Sequence, residues 1–546
     1  MKCKRKPVTI AMASLTALTL LLSACSGNTG GNSESGGQSG NGGTSNNSGE
    51  ASGNEATQGQ KEKQQITILS SNAAGFTPNV PNWDENIYVK KFRELSGYDV
   101  KFEFLSANDY NTQLTLRFAS NELADLVYTG SIESPAHAGA VEQGAIHDLT
   151  DLIDKYGPNL KASIPEHVWK APEVSKNGRI YAIPALVPHP HTVAMYIRED
   201  WLKKLNMEMP KTLDDWLEYF ERVKTEDMDG DGDPNNEYGF MVRENFGSSD
   251  AFFYEFGVAL NHWVMQGDEF VPSVITPNMK DALEFWRKLY KNGYINPNAF
   301  TNKYADWQAG ITSGKAGSWL HYVDNLASFW SPDKFINQPD AKPVIIEPPV
   351  GPKGQGIGLA NTGMYYVWII PAGVKDPERV IQFLDKAWSD PEIQKFNSFG
   401  IEGHNYEIVN GEIKWDPEAP NNVDDSQNLL YQINMNVTGH SLNNDEQVKL
   451  SPYAAELQRG FEISEKYKIE AESMYMPVME AFKTRPELLP NFGNGDTLLI
   501  DMFARVITSD VDINTEFDKF VKEWRSRGGD EAIKEATAWY KQYYGK

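Results

Sequence analysis

Between residues 65 and 128 the sequence alternates short β-prone runs with amphipathic helical segments, and this alternation restricts the possible folds more than any other feature. The β-prone runs lie at 65–69, 100–104 and 125–128, and the helical patterns between them lie at 86–95 and around Tyr110, Leu114 and Phe118. Parallel strands need a crossover that is usually a helix, so this spacing predicts βαβ units and a parallel sheet. The predicted fold class is therefore α/β.

Polar and aromatic side chains stand where these runs end, with Asn72 after the first run and Tyr128 closing the third. The carboxyl ends of parallel strands form the edge at which open α/β sheets bind ligands. Small polar groups beside an aromatic ring suit a ligand that is rich in hydroxyl groups. Asn72 and Tyr128 are therefore candidate ligand-binding residues.

Helical patterns dominate the rest of the chain. Amphipathic stretches run through about 278–292, 376–388, 453–483 and 513–545. Another helix is expected to begin at Thr212, because Thr212 and Asp215 approximate a capping box ahead of a helical apolar period. The tryptophans on such apolar helical faces are expected to pack in the core, and they are Trp201, Trp216, Trp286 and Trp524.

The N-terminus has the pattern of an export signal. Lysines and one arginine within the first six residues precede an apolar stretch from Val8 to Leu22, which is too short and wrongly flanked for a membrane-spanning helix. Leu22-Ser23-Ala24-Cys25 resembles the lipobox of bacterial lipoproteins. That resemblance implies that residues 1–24 are a signal peptide and that cleavage precedes Cys25. It also implies that Cys25 carries a diacylglyceryl group and that its new amino terminus is acylated, for example with palmitate. Several acyl chains would anchor the protein stably to the membrane on its extracytoplasmic face.

Residues 25–64 are expected to form a disordered linker. After the cysteine the segment consists almost wholly of small and polar residues, which cannot bury apolar surface. As a flexible coil of about 40 residues it would span roughly 35 Å and hold a globular domain away from the membrane. The remaining residues, about 480, suffice for two or three domain-sized units.

Charge and cysteine content exclude several classes of protein. Removing the four positive charges of the signal from the formal charge of −24 leaves −28, which argues against nucleic-acid binding. The only other cysteine, Cys3, lies in the signal, so the mature chain cannot form an intramolecular disulfide. An exported protein of this kind must depend on its core for stability.

An acidic loop carries the most specific local chemistry. Asp227, Asp229 and Asp231 occupy positions 1, 3 and 5 of an EF-hand-like pattern, and Gly232 follows at position 6. Position 12 is Tyr238 instead of Glu, so a bidentate ligand would have to come from Glu237. The pattern predicts a structural Ca²⁺ site, and the alternative is a solvated Asp/Gly turn. The candidate metal ligands are Asp227, Asp229, Asp231, Asp233, Asn236 and Glu237.

Several segments in order resemble family 1 extracellular solute-binding proteins. They are 142–149 (Glu-Gln-Gly-Ala-Ile-His-Asp-Leu), 178–184 (Gly-Arg-Ile-Tyr-Ala-Ile-Pro), 195–202 (Met-Tyr-Ile-Arg-Glu-Asp-Trp-Leu) and 314–319 (Gly-Lys-Ala-Gly-Ser-Trp). Segments 399–406 and 512–518 narrow the resemblance to the long, LplA-type lipoproteins of Gram-positive bacteria. The resemblance covers the chain from about 66 to 546.

This resemblance implies a two-lobed, type II periplasmic-binding-protein-like fold with a ligand cleft between the lobes. The expected N-lobe comprises 66–188 plus 312–350, and the expected C-lobe comprises 189–311 plus 351–546. The implied function is that of a monomeric substrate-binding component, which captures a carbohydrate and delivers it to the permease subunits of an ABC importer. Alginate-binding relatives carry a similar calcium loop, which favours the metal interpretation of the acidic loop.

Candidate sugar contacts lie in polar or Gly-rich segments near the expected cleft, because sugars stack on aromatic rings and bond to planar polar groups. They are Asn72, Trp83, Tyr128, Arg198, Trp263, Trp319, Tyr322, Asp324, Asn361 and Tyr365. His189 and His191 flank a proline at an expected lobe crossing, which favours a hinge or ligand contact over a transition-metal site.

Two other functions remain open from the residues alone. A peptide receptor would share the fold, and an extracellular polysaccharide-degrading enzyme would need two carboxylates across a scissile bond. With 75 acidic residues such a pair can always be proposed, so their presence does not discriminate. The sequence has no Gly-x-Ser-x-Gly or His-Glu-x-x-His motif, and the family resemblance implies that the chain is not an enzyme.

Overall fold

The computed structural model describes residues 63–72, 80, 82–106, 109–186, 189–233, 235–417, 419–422, 430, 433–434, 445–493 and 495–545. Cys25, the predicted signal and almost all of the predicted linker lie outside these residues. Within the described ranges, no helix combines the length and the apolar character needed to cross a membrane.

The strands, in chain order, are β1 (Gln65–Asn72), β2 (Asp99–Ser106), β3 (Leu126–Thr129), β4 (Ser175–Lys176), β5 (Arg179–Ile180), β6 (Ala182–Leu186), β7 (Val193–Arg198), β8 (Trp263–Gln266), β9 (Glu269–Pro272), β10 (Ser318–Tyr322), β11 (Pro343–Ile346), β12 (Gly358–Leu359), β13 (Met364–Ile369), β14 (Tyr406–Val409), β15 (Glu412–Trp415) and β16 (Lys468–Ile469).

The helices are α1 (Ile87–Ser96), α2 (Tyr110–Ser120), α3 (Thr150–Tyr156), α4 (Pro158–Ser163), α5 (Glu166–Trp169), α6 (Glu199–Leu205), α7 (Leu213–Thr225), α8 (Ala251–Tyr254), α9 (Asn278–Lys291), α10 (Tyr304–Thr312), α11 (Asn325–Ser328), α12 (Pro377–Ser389), α13 (Pro391–Phe399), α14 (Asp445–Leu450), α15 (Ala454–Lys466), α16 (Glu480–Thr484), α17 (Leu498–Thr508), α18 (Ile513–Trp524) and α19 (Asp530–Tyr544).

A five-stranded sheet in the order β2-β1-β3-β13-β6 forms the centre of the first lobe. Strands β1, β2 and β3 pair in parallel, as the sequence predicted, with Ile68 opposite Phe102 on one side and Leu126 on the other. Ile66, Ile68 and Val127 are fully buried, because helices cover the sheet as parallel pairing requires. The predicted α/β class is confirmed.

Strand β13 reaches this sheet from far along the chain and pairs antiparallel with both β3 and β6. Helix α12 follows it and packs on α3 and α4, where the Asp385 carboxylate accepts hydrogen bonds from the Asn159 and Leu160 amides at 2.7 and 2.9 Å. These contacts fix residues 364–389 in the first lobe.

The second lobe is built around an antiparallel sheet in the order β10-β7-β11. Alternate residues of β7 face opposite sides of a strand, and each side has its own hydrophobic cluster. Met195 and Ile197 pack with the tryptophans of α7 and α9, whereas Tyr196 packs with Trp319 and Trp330. The four tryptophans assigned to packing, Trp201, Trp216, Trp286 and Trp524, are all buried in the larger cluster.

Helix α7 begins with the predicted capping box. The Asp215 amide donates to the Thr212 hydroxyl at 3.2 Å, and the Thr212 amide donates back to the Asp215 carboxylate at 2.9 Å. Two donors at the helix start, which have no partner inside the helix, are thereby satisfied.

The expected lobe boundaries need correction. Residues 312–350 were placed in the N-lobe, but β10 and β11 pair with β7 in the second lobe. Residues 351–546 were placed entirely in the C-lobe, but β13 and α12 complete the first lobe. The lobe to which each of these segments belongs is decided by pairing with strands more than a hundred residues away in the chain. The chain passes from the first lobe to the second between β6 and β7, returns between β11 and β13, and passes to the second lobe again after α13.

Candidate functional site

A cleft with a volume of about 1460 Å³ lies between first-lobe residues that follow β3 and second-lobe residues near the carboxyl end of the chain. The first-lobe wall includes Ser131, Trp169 and Lys176, and the second-lobe wall includes Tyr475 and Trp539. Its volume exceeds the 300–1,000 Å³ that is usual for small-molecule pockets. The cleft therefore has room for a ligand larger than a typical small molecule, such as an oligomer of several linked residues.

Aromatic rings line the second-lobe wall. Trp539 and Tyr543 stand one turn apart on α19, with ring centroids 5.1 Å apart and planes within 23°. Tyr475 stacks on Tyr543 at 5.9 Å and 22°. The three rings form a stacked row, here called the aromatic row, and Trp169 lines the same cleft from the first lobe.

Two buried polar atoms of the first-lobe wall have no hydrogen-bond partner among the described residues. They are Nε1 of Trp169 and Oε2 of Glu173. Burial raises the pKa of the Glu173 carboxyl, although a backbone hydrogen bond lowers it in part. A buried polar atom without a partner is costly, so each of these atoms would gain a hydrogen bond if a ligand reached it.

The cleft continues toward the lobe crossings. Glu173 and Asn361 line an adjoining cavity of about 320 Å³, and Asn361 and His191 line a further one of about 450 Å³. The Asn361 side chain donates to the Pro190 carbonyl at 2.8 Å and accepts from the Gly363 amide at 2.8 Å. Asn361, a predicted contact, therefore joins the two crossing segments at the cleft.

A separate polar pocket of about 560 Å³ lies in the second lobe beside the ends of β7 and β10. Tyr322, another predicted contact, lines it with 51% of its surface exposed. Arg243 and Lys303 line the same pocket, and both approach the Glu244 carboxylate.

Burial controls protonation in this polar pocket. It lowers the pKa of His321 to about 4, with a smaller contribution from nearby Arg243. It also raises the pKa of the Asp250 carboxyl. Removal from water disfavours the charged form of both groups.

Three predicted contacts have side chains that are buried within the second lobe and do not line the cleft. Trp319 is fully buried and stacks on Tyr196 at 5.5 Å, and Trp263 is 2% exposed in β8. Arg198 is 1% exposed and binds both Asp200 oxygens at 2.9 and 2.6 Å, between the rings of Trp201 and Phe335. Each had been placed near the cleft by sequence position alone.

The other predicted contacts are spread over both lobes. Trp83 packs on Phe104 at 4.3 Å beside the edge strand β2, away from the residues that line the cleft. Asn72 ends β1, Tyr128 contacts Tyr110 and Tyr366 at 5.3 and 4.5 Å, and Asp324 precedes α11. Tyr365 lies in β13, and its side chain is outside the described part of the chain.

His189 and His191 diverge at the first lobe crossing. His189 stacks on Phe461 with centroids 3.9 Å apart, and its Nε2 lies 2.9 Å from an Asp445 oxygen. His191 Nε2 lies 3.8 Å from a Glu465 oxygen. The two imidazoles thus have different carboxylate neighbours.

The acidic loop folds around its own amides. Asp227 accepts from the Gly230 and Gly232 amides at 2.7 and 3.0 Å, and Oδ1 of Asp229 accepts from the Asp231 amide at 3.0 Å. Asp227, Asp229 and Asp231 each offer an oxygen within 4.8 Å of the others. The three aspartates at alternate positions are therefore brought together as predicted.

The Lys315 ammonium, which precedes β10, bonds to the oxygens that the amides leave. It donates to Oδ2 of Asp229 at 2.5 Å, to Oδ2 of Asp231 at 2.6 Å and to the Asn236 amide oxygen at 2.7 Å. The bond from Lys315 to Asp231, with smaller contributions from the Asp233 backbone amide and the Asn236 side chain, lowers the pKa of Asp231 to about 2. One cation thus already faces the cluster, and the sequence pattern had not revealed it.

The remaining predicted metal ligands have other contacts. Glu237 is fully buried, and its Oε1 accepts from the Met228 and Asp229 amides at 2.8 and 3.1 Å. Its Oε2 has no partner among the described residues, and burial raises the pKa of this carboxyl. Asp233 accepts from the Asn235 amide at 3.1 Å and is not part of the three-aspartate group.

Sequence reasoning missed the aromatic row and Trp169. The run Trp539-Tyr540 followed by Tyr543-Tyr544 was the available signal, since four aromatic residues within six positions exceed what one buried helix face needs. Tyr540 is buried, whereas Tyr543 is 45% exposed, so the helix places aromatic rings on more than one face.

The family model described as bacterial extracellular solute-binding protein matches residues 77–392. Lipoprotein LipO of Bacillus subtilis is 26% identical over 493 residues, which cover 88% of this chain and 92% of LipO. The polygalacturonan/rhamnogalacturonan-binding protein YtcQ of the same organism is 25% identical and covers 83% of this chain and 88% of its own length. The fructooligosaccharide ABC transporter substrate-binding protein FusA of Streptococcus pneumoniae is 27% identical over 63% of this chain and 64% of FusA.

Solved structures share the fold. FusA in complex with kestose and a FusA EF-hand mutant with fructo-nystose each have a TM-score of 0.65, at 21% identity over 88% of this chain and all of theirs. The alginate-binding protein AlgQ2 without calcium ion has a TM-score of 0.63, at 21% identity over 89% of this chain and all of its own. These likenesses confirm the two-lobed fold.

Proposed function

This chain belongs to the family of bacterial extracellular solute-binding proteins, and on that basis we propose that it captures an oligosaccharide and delivers it to an ABC importer. Members of the family are binding proteins, so the chain is not an enzyme. FusA and YtcQ carry the names of the carbohydrates that they bind, which supports a carbohydrate here.

The aromatic row is the observation that carries the proposal. Trp539, Tyr543 and Tyr475 present stacked rings to the interlobe cleft. Flat rings suit the C–H faces of sugars, and the unpartnered Trp169 and Glu173 atoms suit hydroxyl groups. A cleft of about 1460 Å³ favours an oligosaccharide over a monosaccharide.

Delivery would depend on closure of the lobes around the sugar. Two of the crossings between the lobes lie between β6 and β7 and between β11 and β13, where a few residues can absorb a hinge motion. The membrane permease subunits would recognise the closed form, and the protein would act as a monomer. Asn361 joins the two crossings through Pro190, so it would couple ligand contact to the hinge.

Attachment to the membrane would come from Cys25. The lipobox-like segment before it and the name of the relative LipO both support a lipid anchor on the extracytoplasmic face. Replacing Cys25 by Ser should move the protein from the detergent phase to the aqueous phase of a detergent partition, and continued detergent partitioning would contradict the anchor.

The acidic loop would hold a structural Ca²⁺ ion. The residues fit, because Asp227, Asp229 and Asp231 each offer a carboxylate oxygen within 4.8 Å of the others. The ion would have to displace the Lys315 ammonium from Asp229 and Asp231. The FusA EF-hand mutant and calcium-free AlgQ2 indicate that related folds carry such a loop. The ion would stabilise the segment between α7 and Tyr238, and it would not contact the sugar.

Calorimetric titration of the chain with neutral and acidic oligosaccharides and with short peptides tests the proposal. Binding of at least one oligosaccharide without its turnover is expected. If peptides bind and no sugar does, the protein is a peptide-binding protein and the carbohydrate proposal is wrong. Release of shorter products would contradict the binding function itself.

A further inference from the structure

Every lysine that lines the interlobe cleft is already opposed by a carboxylate. The pairs are Lys161 with Asp154 at 2.5 Å, Lys170 with Glu166 at 2.6 Å, Lys483 with Glu480 at 2.5 Å, and Lys176 with Glu133 at 2.6 Å and also with Glu142. Arginine is absent from the described lining of this cleft. The residues between 63 and 545 that the structure does not describe include no lysine or arginine, so they add no cation.

Carboxylates outnumber these cations. Seven carboxylates line the cleft against four lysines, and the two that do not pair with a lysine are Glu173 and Glu535. Glu535 accepts the Glu480 amide at 3.0 Å, and Glu173 faces both the main cleft and its extension. In the further cavity beside His191, the one lysine among the described lining residues, Lys468, contacts Glu465 at 2.5 Å and Glu470 at 3.5 Å. The field in the cleft is therefore negative.

Resting on the carbohydrate function proposed above, we infer that this cleft selects uncharged oligosaccharides and rejects those built of uronic acids. A uronate entering it would compete with a carboxylate for each lysine and would be repelled by the carboxylates in excess. A neutral sugar needs only the aromatic row and hydrogen-bond partners, and the cleft supplies both. The ligand inferred for this cleft is uncharged, whereas the polygalacturonan in the name of YtcQ is built of uronic acids.

A neutral ligand also fits better than a cationic amino sugar. Six of the seven carboxylates are bonded to a lysine or to a backbone amide. The seventh, Glu173, has a buried Oε2 that has no partner among the described residues, and burial raises the pKa of its carboxyl. Its carboxyl can accept a hydrogen bond from a sugar hydroxyl, or donate one when protonated, without a net charge on the ligand.

The test uses calorimetry on the full-length chain in detergent at low ionic strength. The probes are neutral fructo-, xylo- and galacto-oligosaccharides, tetragalacturonate, its fully methyl-esterified form and a chitosan tetramer. The best neutral probe should bind at least about tenfold more tightly than tetragalacturonate, a difference of about 1.4 kcal/mol. Tighter binding of tetragalacturonate or of chitosan than of every neutral probe overturns the inference. Binding of no sugar at all overturns the carbohydrate function, and the inference with it.

A gain-of-binding variant tests the cause. Glu133→Gln with Glu142→Gln leaves the Lys176 ammonium without a carboxylate, and tetragalacturonate should then bind about tenfold more tightly, while the best neutral probe changes less than about twofold. Asp154→Asn, which frees Lys161, should act in the same direction. Glu412→Gln, which breaks the Lys414 pair on the distant β14–β15 hairpin, should change neither affinity. Unchanged uronate binding in both cleft variants would overturn the role of the paired lysines.

Discussion

The acidic loop and the cleft wall both surround a lysine ammonium with carboxylates, but they assemble the group differently. Around Lys315, Asp229, Asp231 and Asn236 all come from one short loop. Around Lys176, Glu133 and Glu142 lie 43 and 34 residues away in the chain. The loop is thus a local device that concentrates negative charge for one cation. The cleft wall is a tertiary device in which carboxylates neutralise the cations that would otherwise attract an anionic ligand.

The largest expected effect separates the two regions by function. Trp539→Ala with Tyr543→Ala should weaken binding of the preferred oligosaccharide by about 100-fold, or about 2.7 kcal/mol, because the row supplies most of the stacking surface. The calcium response of the melting temperature should not change. Calorimetry measures the first and thermal unfolding the second. Tyr544→Ala on the same helix is the matched control, and equal affinity of the double variant and the wild type would remove the row from the site.

Lys315 and Lys176 are surrounded by carboxylates, whereas His321 is surrounded by aromatic rings. A basic group among rings should stay neutral, and the pH dependence of stability can test this for His321. Its ring lies 5.2 Å from that of Trp307 and 5.6 Å from that of Trp330, and its pKa is lowered to about 4. The unfolded chain then binds a proton more readily, so His321 contributes stability that is fully present above about pH 6.5 and is lost as the pH falls toward 4.

Between pH 7 and pH 5 the loss should be about 2 kcal/mol. Urea unfolding across this range should give a shallower pH dependence for His321→Asn than for the wild type. Identical slopes would mean that His321 does not titrate differently in the two states.

A smaller effect concerns the loop itself. Lys315→Met removes the ammonium from the aspartates, so the protein in a chelator should lose about 1 kcal/mol of stability while its stabilisation by Ca²⁺ increases. Thermal unfolding with EDTA and with millimolar CaCl₂ measures both. Lys204→Met is the matched control, because the Lys204 ammonium bonds to the Asp227 carbonyl and not to a carboxylate. A reduced calcium response in Lys315→Met would show that the lysine assists the ion.

The smallest expected effect is on sugar binding after calcium removal. The loop and the cleft share no lining residue, so chelation should change the affinity for the oligosaccharide by less than about twofold. Calorimetry in EDTA checks this. Loss of sugar binding in the chelator would show that calcium binding at the loop and sugar binding in the cleft are coupled.

Local patterns in the sequence were sufficient for much of the fold. The helices at 278–292 and 376–388 correspond to α9 (Asn278–Lys291) and α12 (Pro377–Ser389), and the apolar period alone identified them. The stretch at 513–545 is two helices, α18 and α19, separated by a π-helical turn at Arg525–Gly529. Gly528 has a φ of 130° in that turn, a conformation that only glycine adopts easily, so the apolar period continues across a break in the helix.

Tertiary pairing explains what the sequence could not predict. Trp319 and Tyr322 stand three residues apart on β10, yet one is fully buried and the other is 51% exposed. No local pattern decides which side of a strand meets a second cluster of aromatic side chains. The lobe boundaries failed for the same reason, because the partners of β10 and β13 lie far away in the chain. The acidic loop was identified because all three of its aspartates are neighbours in sequence.

The position of β13 has a consequence for the order of folding. Val367 of β13 pairs with Thr129 of β3 and with Pro184 of β6, so β13 joins β3 to β6 and the sheet is incomplete until residue 369 is available. A chain that emerges amino terminus first can pair β1, β2 and β3, but it must leave β6 and one edge of β3 unpaired while the whole β7–β11 sheet appears. Such distant pairing slows folding, since a long loop must close before its contacts form. The first lobe is therefore completed by a segment that is made only after the strands of the β10-β7-β11 sheet.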